Sequence, residues 1–293
     1  MKIGVFDSGL GGLLIARSIM RELPDHDCLY VGDTARVPYG TRSRETIYEF
    51  THQAVDYLFR QQCELIIVAC NTASADALRR IQQEYLPAHY PNRRVLGVLI
   101  PAAEAAVEIA KGDASASGSS TGTTCLPRAV GMAPRNVPVI GVLATQATVT
   151  SGAFVREITK LMPDVRIVQQ AAPLLVPLIE MGGIKFARPI VDEYVAPLKA
   201  AGVSTLILGC THYPVLREMI QEAVGSDVTI VDQNDVVPGK LRDYLRRHPE
   251  IDGPIARTGK HVFQVTDFTH NAADFARQLF PEGIDLETIP GFG

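Results

Sequence analysis

The chain has no apolar run long enough to cross a bilayer, no surplus of basic residues and no closely paired cysteines, and each absence removes a class of function. Its 28 Lys and Arg stand against 32 Asp and Glu, a formal net charge of -4. With a pI near 6.0, there is no positive field to draw in nucleic acid or an anionic membrane, so neither is expected as a partner. Arginine pairs such as Arg79-Arg80, Arg93-Arg94 and Arg246-Arg247 read as solvated helix faces or ends. The apolar start is cut at Asp7 and runs into a glycine-rich turn, which argues against a secretory signal. Five cysteines, Cys28, Cys63, Cys70, Cys125 and Cys210, are odd in number and never spaced CxxC. Neither a disulfide framework nor a zinc site is therefore expected, and a reducing cytoplasm fits free thiols.

What the chain does have is a repeated unit. Leu65 to Arg79 reads LIIVACNTASADALR, and Thr205 to Arg217 reads TLILGCTHYPVLR. Both run from branched aliphatics to a small residue, a cysteine and two polar residues, the pattern of a buried parallel strand opening into a loop and helix. Cys70 and Cys210 are thus expected at strand carboxyl ends, each with a helix N-terminus just behind it that would favour a thiolate. Further back, Ile3 to Ser8 resembles Ile140 to Thr145, and Gly4 to Cys70 spans 66 positions where Gly141 to Cys210 spans 69. The fold class expected is α/β: two pseudo-symmetric lobes with mainly parallel central sheets, presenting both thiols to one cleft at the sheet edge where ligands bind.

At 293 residues and 46% hydrophobic, the chain can bury a core in each of two domains. Strands are expected at Lys2 to Phe6, Cys28 to Asp33, Val95 to Leu99, Val165 to Val168, Val228 to Val231 and His261 to Val265. Helices are expected at Leu13 to Leu23, Ser43 to Gln62, from Cys70 to about Tyr85, Pro101 to Lys111, Ser151 to Leu161, Phe186 to Ala200, Asn234 to Arg247 and Asp267 to Leu279. The aromatics of the second helix read as core. Asp7 to Gly12 (DSGLGG) lacks the full dinucleotide or P-loop spacing; it serves either as a backbone cradle for a carboxylate or as a plain tight turn. Gly112 to Pro138, rich in Ser, Gly, Thr and Pro, reads as a mobile surface insertion that carries Cys125 as an uninvolved thiol. Each site residue has a bland reading too: a cysteine can be a small core hydrophobe, Asp7 a helix cap, His212 a surface histidine.

Four motifs in fixed order, Gly4-Val5-Phe6-Asp7-Ser8-Gly9, Asp33-Thr34-Ala35-Arg36 with Pro38-Tyr39-Gly40, Ala69-Cys70-Asn71-Thr72-Ala73-Ser74 and Leu208-Gly209-Cys210-Thr211-His212-Tyr213-Pro214, resemble those of the cofactor-independent glutamate racemases, which supply D-glutamate for peptidoglycan. The resemblance covers nearly all the chain except 112–138, where the family usually has a shorter connection, and the C-terminal tail. It implies that Cys70 takes the α-proton of D-glutamate and Cys210 that of L-glutamate. Asp7 would assist Cys70, and Glu180 and His212 would assist Cys210. Asp7, Ser8, Tyr39, Gly40, Asn71, Thr72, Thr145, Thr148, Thr211 and His212 would hold the substrate's amino and carboxylate groups through side chains or backbone amides.

Inversion at carbon needs a base on one face and an acid on the other, and a thiol near pKa 8.5 can serve as either after modest tuning, which agrees with the reading of the repeat. No cofactor is implied: none of the seven lysines lies in a matched motif, so none is placed to form a pyridoxal Schiff base. The lobes implied are 1–98 with 236–293, carrying Cys70, and 99–235, carrying Cys210. A homodimer is the working expectation for assembly. The rival readings are an aspartate or hydantoin racemase of the same superfamily and a non-catalytic amino-acid-binding or regulatory protein. Loss of a thiol would mark the last, and both thiols are here.

Overall fold

Buried aliphatic strands at the centre, with more exposed strands at the edges, build two wholly parallel sheets in the computed structural model, which describes residues 1–116, 138–268, 270–280 and 283–292. In chain order the strands are β1 (Lys2–Asp7), β2 (Cys28–Gly32), β3 (Cys63–Val68), β4 (Arg94–Gly97), β5 (Val139–Ala144), β6 (Arg166–Ala171), β7 (Thr205–Gly209), β8 (Thr229–Val231), β9 (His261–Val265) and β10 (Leu286–Thr288). One sheet is ordered β10-β9-β2-β1-β3-β4 and the other β6-β5-β7-β8. The run β2-β1-β3-β4 and the run β6-β5-β7-β8 follow the same order, so the sequence repeat is a repeat of topology. Register bears this out: Val5 lies beside Tyr30 and Ile67, as Val142 lies beside Gln169 and Ile207.

Strands that all run one way open at one edge. β1 therefore delivers Asp7, and β3 and β7 deliver Cys70 and Cys210, to the carboxyl edges of their sheets. The chain passes between lobes twice. After β4 the helix Leu99–Ala116 packs against β5, β7 and β8 of the second sheet. After β8 the helix Gln233–Arg247 packs on the helix Gly12–Glu22 of the first lobe and on the helix Leu99–Ala116, where Lys240 Nζ meets Glu104 Oε2 at 2.9 Å. The chain then returns to the first sheet, where β9 pairs with β2. Leu10 and Leu13 share one buried cluster with Val176, Ile179, Leu216 and Val237, so apolar packing is continuous from lobe to lobe.

Several expectations need correction. β10 was not anticipated; it is three residues long and gains its place from pairing with β9, not from an apolar run of its own. The helix expected to end at Lys111 continues through Gly112 to Ala116, so the polar segment begins later than expected. Residues 117–137, with Cys125, lie outside the described residues. The run after Cys70 is not one helix: Asn71–Asp76 and Leu78–Arg80 are followed by a wider π-type turn, Ile81–Tyr85, just before Pro87, whose ring cannot accept a regular helical turn behind it. Tyr48, Phe50 and Tyr57 are half-buried against the core, and of the aromatics on the helix Arg44–Arg60 Phe59 alone is buried.

Burial fixes the protonation of the structural thiols. Cys28 and Cys63 are wholly buried, and desolvation pushes each thiol up to about 12. The folded chain holds these protons above about pH 8.5, where an unfolded thiol releases them. Stability from this source is intact below that pH and is lost as pH rises toward 12. Urea midpoints should therefore stay level from about pH 7 to 8 and fall steadily above about pH 9, a fall that should shrink when Cys28 and Cys63 are both replaced by Ala.

Candidate active site

The first-lobe half of the site is a strand end, a glycine turn and a helix start. Asp7 closes β1 and is fully buried; its Oδ2 accepts from the amides of Gly9 at 3.1 Å and Gly12 at 3.0 Å. That turn must be glycine-rich, because a Cβ at Gly12 would lie 2.3 Å from the Asp7 Cβ, and one at Gly11 would lie 2.8 Å from the His212 amide. Burial pushes the Asp7 carboxyl up, and His212, the two amides and the Thr211 hydroxyl oppose it. Cys70 caps the helix Asn71–Asp76, its sulfur accepting from the Ala73 amide at 3.5 Å and donating to Ser8 Oγ at 3.3 Å.

The helix start behind Cys70, expected to favour a thiolate, is opposed by stronger effects. Burial, then the Asp7 charge, pushes its thiol up to about 12, and the Ser8 and Ala73 hydrogen bonds offset only part. In this arrangement the Cys70 thiol donates its hydrogen bond to Ser8.

The second-lobe half is built differently. No α-helix starts at Cys210, contrary to expectation: the chain turns, makes a single 3-10 turn over Tyr213–Leu216 with Pro214 near its start, and becomes α-helical only at Arg217. Proline fits that first turn because it has no N–H to place. His212 takes up the space beside the sulfur instead. Its Nδ1 lies 3.8 Å from Cys210 Sγ, and its Nε2 lies 2.5 Å from Glu180 Oε1. Burial disfavours the imidazolium, yet hydrogen bonds to Cys210 and Glu180 and the Glu180 charge raise His212 well above its usual value. Glu180 is pushed up by burial, but the His212 hydrogen bond, the His212 charge and the Leu10 amide together outweigh that and hold it low. The pair is a charged relay ending at the sulfur.

Between the halves lies one cavity, lined by Ser8, Tyr39, Gly40, Asn71, Thr72, Thr145, Thr211 and His212 together with both Cys70 and Cys210. Its volume is about 20 Å³, room for little more than a water molecule. Hydroxyls shut it: Thr72 Oγ1 of the first lobe lies 2.9 Å from Thr145 Oγ1 and 3.3 Å from Thr148 Oγ1 of the second. Thr211 Oγ1 likewise donates across to Asp7 Oδ1 at 3.2 Å. Asp7, Glu180 and Thr148 stand behind the lining, each touching a residue that lines it.

Several partners were invisible in the sequence. The Tyr39 hydroxyl donates to buried Asp33, which also accepts from Arg36 Nε at 2.6 Å and Thr266 Oγ1 at 3.0 Å, so Tyr39 offers the cavity its ring and backbone. The Asn71 side chain is fully engaged: its Nδ2 donates to Gln233 Oε1 at 2.8 Å and its Oδ1 accepts from Gln233 Nε2 at 2.6 Å. What Asn71 and Thr72 offer a ligand is their first-turn amides, which have no acceptor within the helix. Val176 and Pro38 also line the cavity, as apolar residues with no chemical signature to single them out.

Comparison with known proteins agrees with the fold. A family model described as Asp/Glu/Hydantoin racemase matches residues 125–237. The chain is 39% identical over 288 residues to a glutamate racemase of Roseobacter denitrificans, covering 98% of this chain and 99% of that one. Among solved structures, a glutamate racemase isoform of Bacillus anthracis superposes with a TM-score of 0.81 at 28% identity, over 98% of this chain and 97% of that one. A Francisella tularensis glutamate racemase in complex with D-glutamate superposes at 0.79 with 30% identity, over 98% and 97%.

The amide pair sets a direct test. Asn71 and Gln233 are each only 2% exposed, so Gln233→Ala strands a buried donor and acceptor and should cost about 1–3 kcal/mol of unfolding free energy. Chemical denaturation measures it. A loss below about 0.5 kcal/mol, the range of an ordinary surface change, would show that water replaces the pair freely.

Proposed function

The chain belongs to the glutamate racemase family, and from that premise we propose that it interconverts L- and D-glutamate, one of Cys70 and Cys210 removing the α-proton and the other delivering its own proton to the opposite face. The observation that supports this most is that two sulfurs from equivalent strand ends line one cavity. Glutamate would lie with its α-carbon between them. The sulfur on one face, as thiolate, removes the proton; the other, as thiol, returns one to the opposite face. By likeness to the relatives, Cys70 acts on D-glutamate and Cys210 on L-glutamate.

The two sulfurs have different helpers. His212 Nδ1 is close enough to exchange a proton with Cys210, and Glu180 holds the imidazolium that results. Cys70 has no such relay. Burial and the negative charge of Asp7 both raise its thiol, so opening the site to water and a proton on Asp7 would each favour the Cys70 thiolate. Admitting glutamate requires the Thr72–Thr145–Thr148 contact to part, after which those hydroxyls and the amides of Asn71 and Thr72 can take the substrate's carboxylates. The lobes that close would be 1–98 with 236–293 and 99–235. The same proposal sets the enzyme in the cytoplasm, supplying D-glutamate for peptidoglycan, for which four free cysteines among the described residues speak.

Protein purified without added cofactor should exchange the α-hydrogen of both glutamate enantiomers in deuterated water, followed by NMR. Cys70→Ser and Cys210→Ser should each nearly abolish racemisation, and full turnover in either variant rejects the two-thiol assignment. His212→Asn should lower kcat/KM by roughly 10²–10⁴. Because the enantiomers are equal in free energy, the fall must be equal in both directions, which circular dichroism can follow from either side.

A further inference from the structure

Outside the thiol cavity, a groove of about 760 Å³ runs over the outer ends of the elements that form it. Arg42, Arg44, Arg79 and Arg80 line it from the first lobe and Arg156 from the second, against two acids, Asp76 and Glu84. Arg80 pairs with Glu84 at 2.9 Å and Arg44 reaches Asp76 only at 3.9 Å. Arg42 and Arg79 have no carboxylate within ion-pair distance among the described residues, and Arg156 donates to a carbonyl, that of Ser151, at 2.5 Å. Five arginines against two acids leave the groove with a surplus of positive charge on a chain of net charge -4, and like charges so gathered repel unless an anion lies among them.

We propose that this groove binds a compact, multiply charged anion, and that the anion ties the two lobes together. The chemistry is that of arginine with phosphate or carboxylate oxygens, where the planar guanidinium gives paired hydrogen bonds. The placement gives the consequence. Arg42 follows Gly40 by two residues, Arg79 lies just beyond the helix that Cys70 caps, and Arg156 lies on the helix Ala153–Leu161 that follows Thr145 and its helix. Gly40 rests against Thr145, where a Cβ would come within 2.6 Å of the Thr145 Cβ. An anion held by Arg42 and Arg79 on one side and Arg156 on the other favours the state in which that contact is made, the closed cleft. The proposal does not depend on which reaction the cleft performs.

Calorimetric titration of the full chain with inorganic pyrophosphate, at fixed ionic strength, should show saturable binding at one site. Arg79→Gln and Arg156→Gln, both exposed, should each weaken it by about tenfold or more. Citrate, titrated in parallel, separates the sources: comparable binding supports a site that reads charge, and preference for pyrophosphate supports one that reads phosphate geometry. Saturating pyrophosphate should also slow alkylation of Cys70 and Cys210 by iodoacetamide several-fold, read by mass spectrometry. Absence of saturable binding by either anion, or binding unchanged in both variants, overturns the site. Alkylation unchanged by bound anion overturns the tie between lobes. Neither result touches the racemisation assay.

Discussion

A carboxylate taken wholly out of water must be met by donors, and the way Asp7 is met organises the whole cleft. Two of its donors are amides of its own glycine turn, and the third is the Thr211 hydroxyl of the other lobe. The first pair forces the turn to be tight enough that glycine is needed beside both Asp7 and His212. The third ties the turn to the loop that carries Cys210. The distance between the two sulfur-bearing loops is thus set from behind, by a group that does not line the cavity.

The repeat supplies symmetry where it is needed and departs from it where chemistry requires. Equal strand orders bring two equivalent loop ends together, which positions the sulfurs. Beyond the sulfurs the halves diverge: one has a helix cap and a serine, the other an imidazolium and a glutamate. The two sulfurs therefore sit in different electrostatic surroundings although the strands that carry them are equivalent. Closure sharpens the contrast, since desolvation disfavours whichever charge lacks a partner.

The strands were legible because a parallel strand buried on both faces is a continuous apolar run, and the glycine and cysteine motifs mark where each run stops. The pairing of the two halves was legible because the repeat preserves order and spacing. What stayed hidden depends on contacts between distant segments. Gln233 meets Asn71 across 162 positions, with nothing in either local sequence to announce it. The Asp33–Tyr39 bond was hidden for another reason: a hydroxyl and a carboxylate in one loop can both face solvent, and only the fold turns them inward. The missing helix after Cys210 was readable in part, since Pro214 signals a first turn, but not which kind. The arginines of the outer groove come from three segments and two lobes, and a pair such as Arg79-Arg80 taken alone looks like any solvated surface.

The chain's double passage between the sheets, after β4 and again after β8, has a mechanical result. A body joined to another at two points can swing about the line through them far more easily than it can slide or twist, so opening follows one arc, as in a bivalve shell. The helices Leu99–Ala116 and Gln233–Arg247, which leave these two points and lean on each other, form the back of that shell. Gln233, at the second of these crossings, is bonded to Asn71 beside Cys70, so that sulfur-bearing loop is held to the hinge itself. A swing about that line would widen the space for one water between the sulfurs, and the return swing would restore their placement.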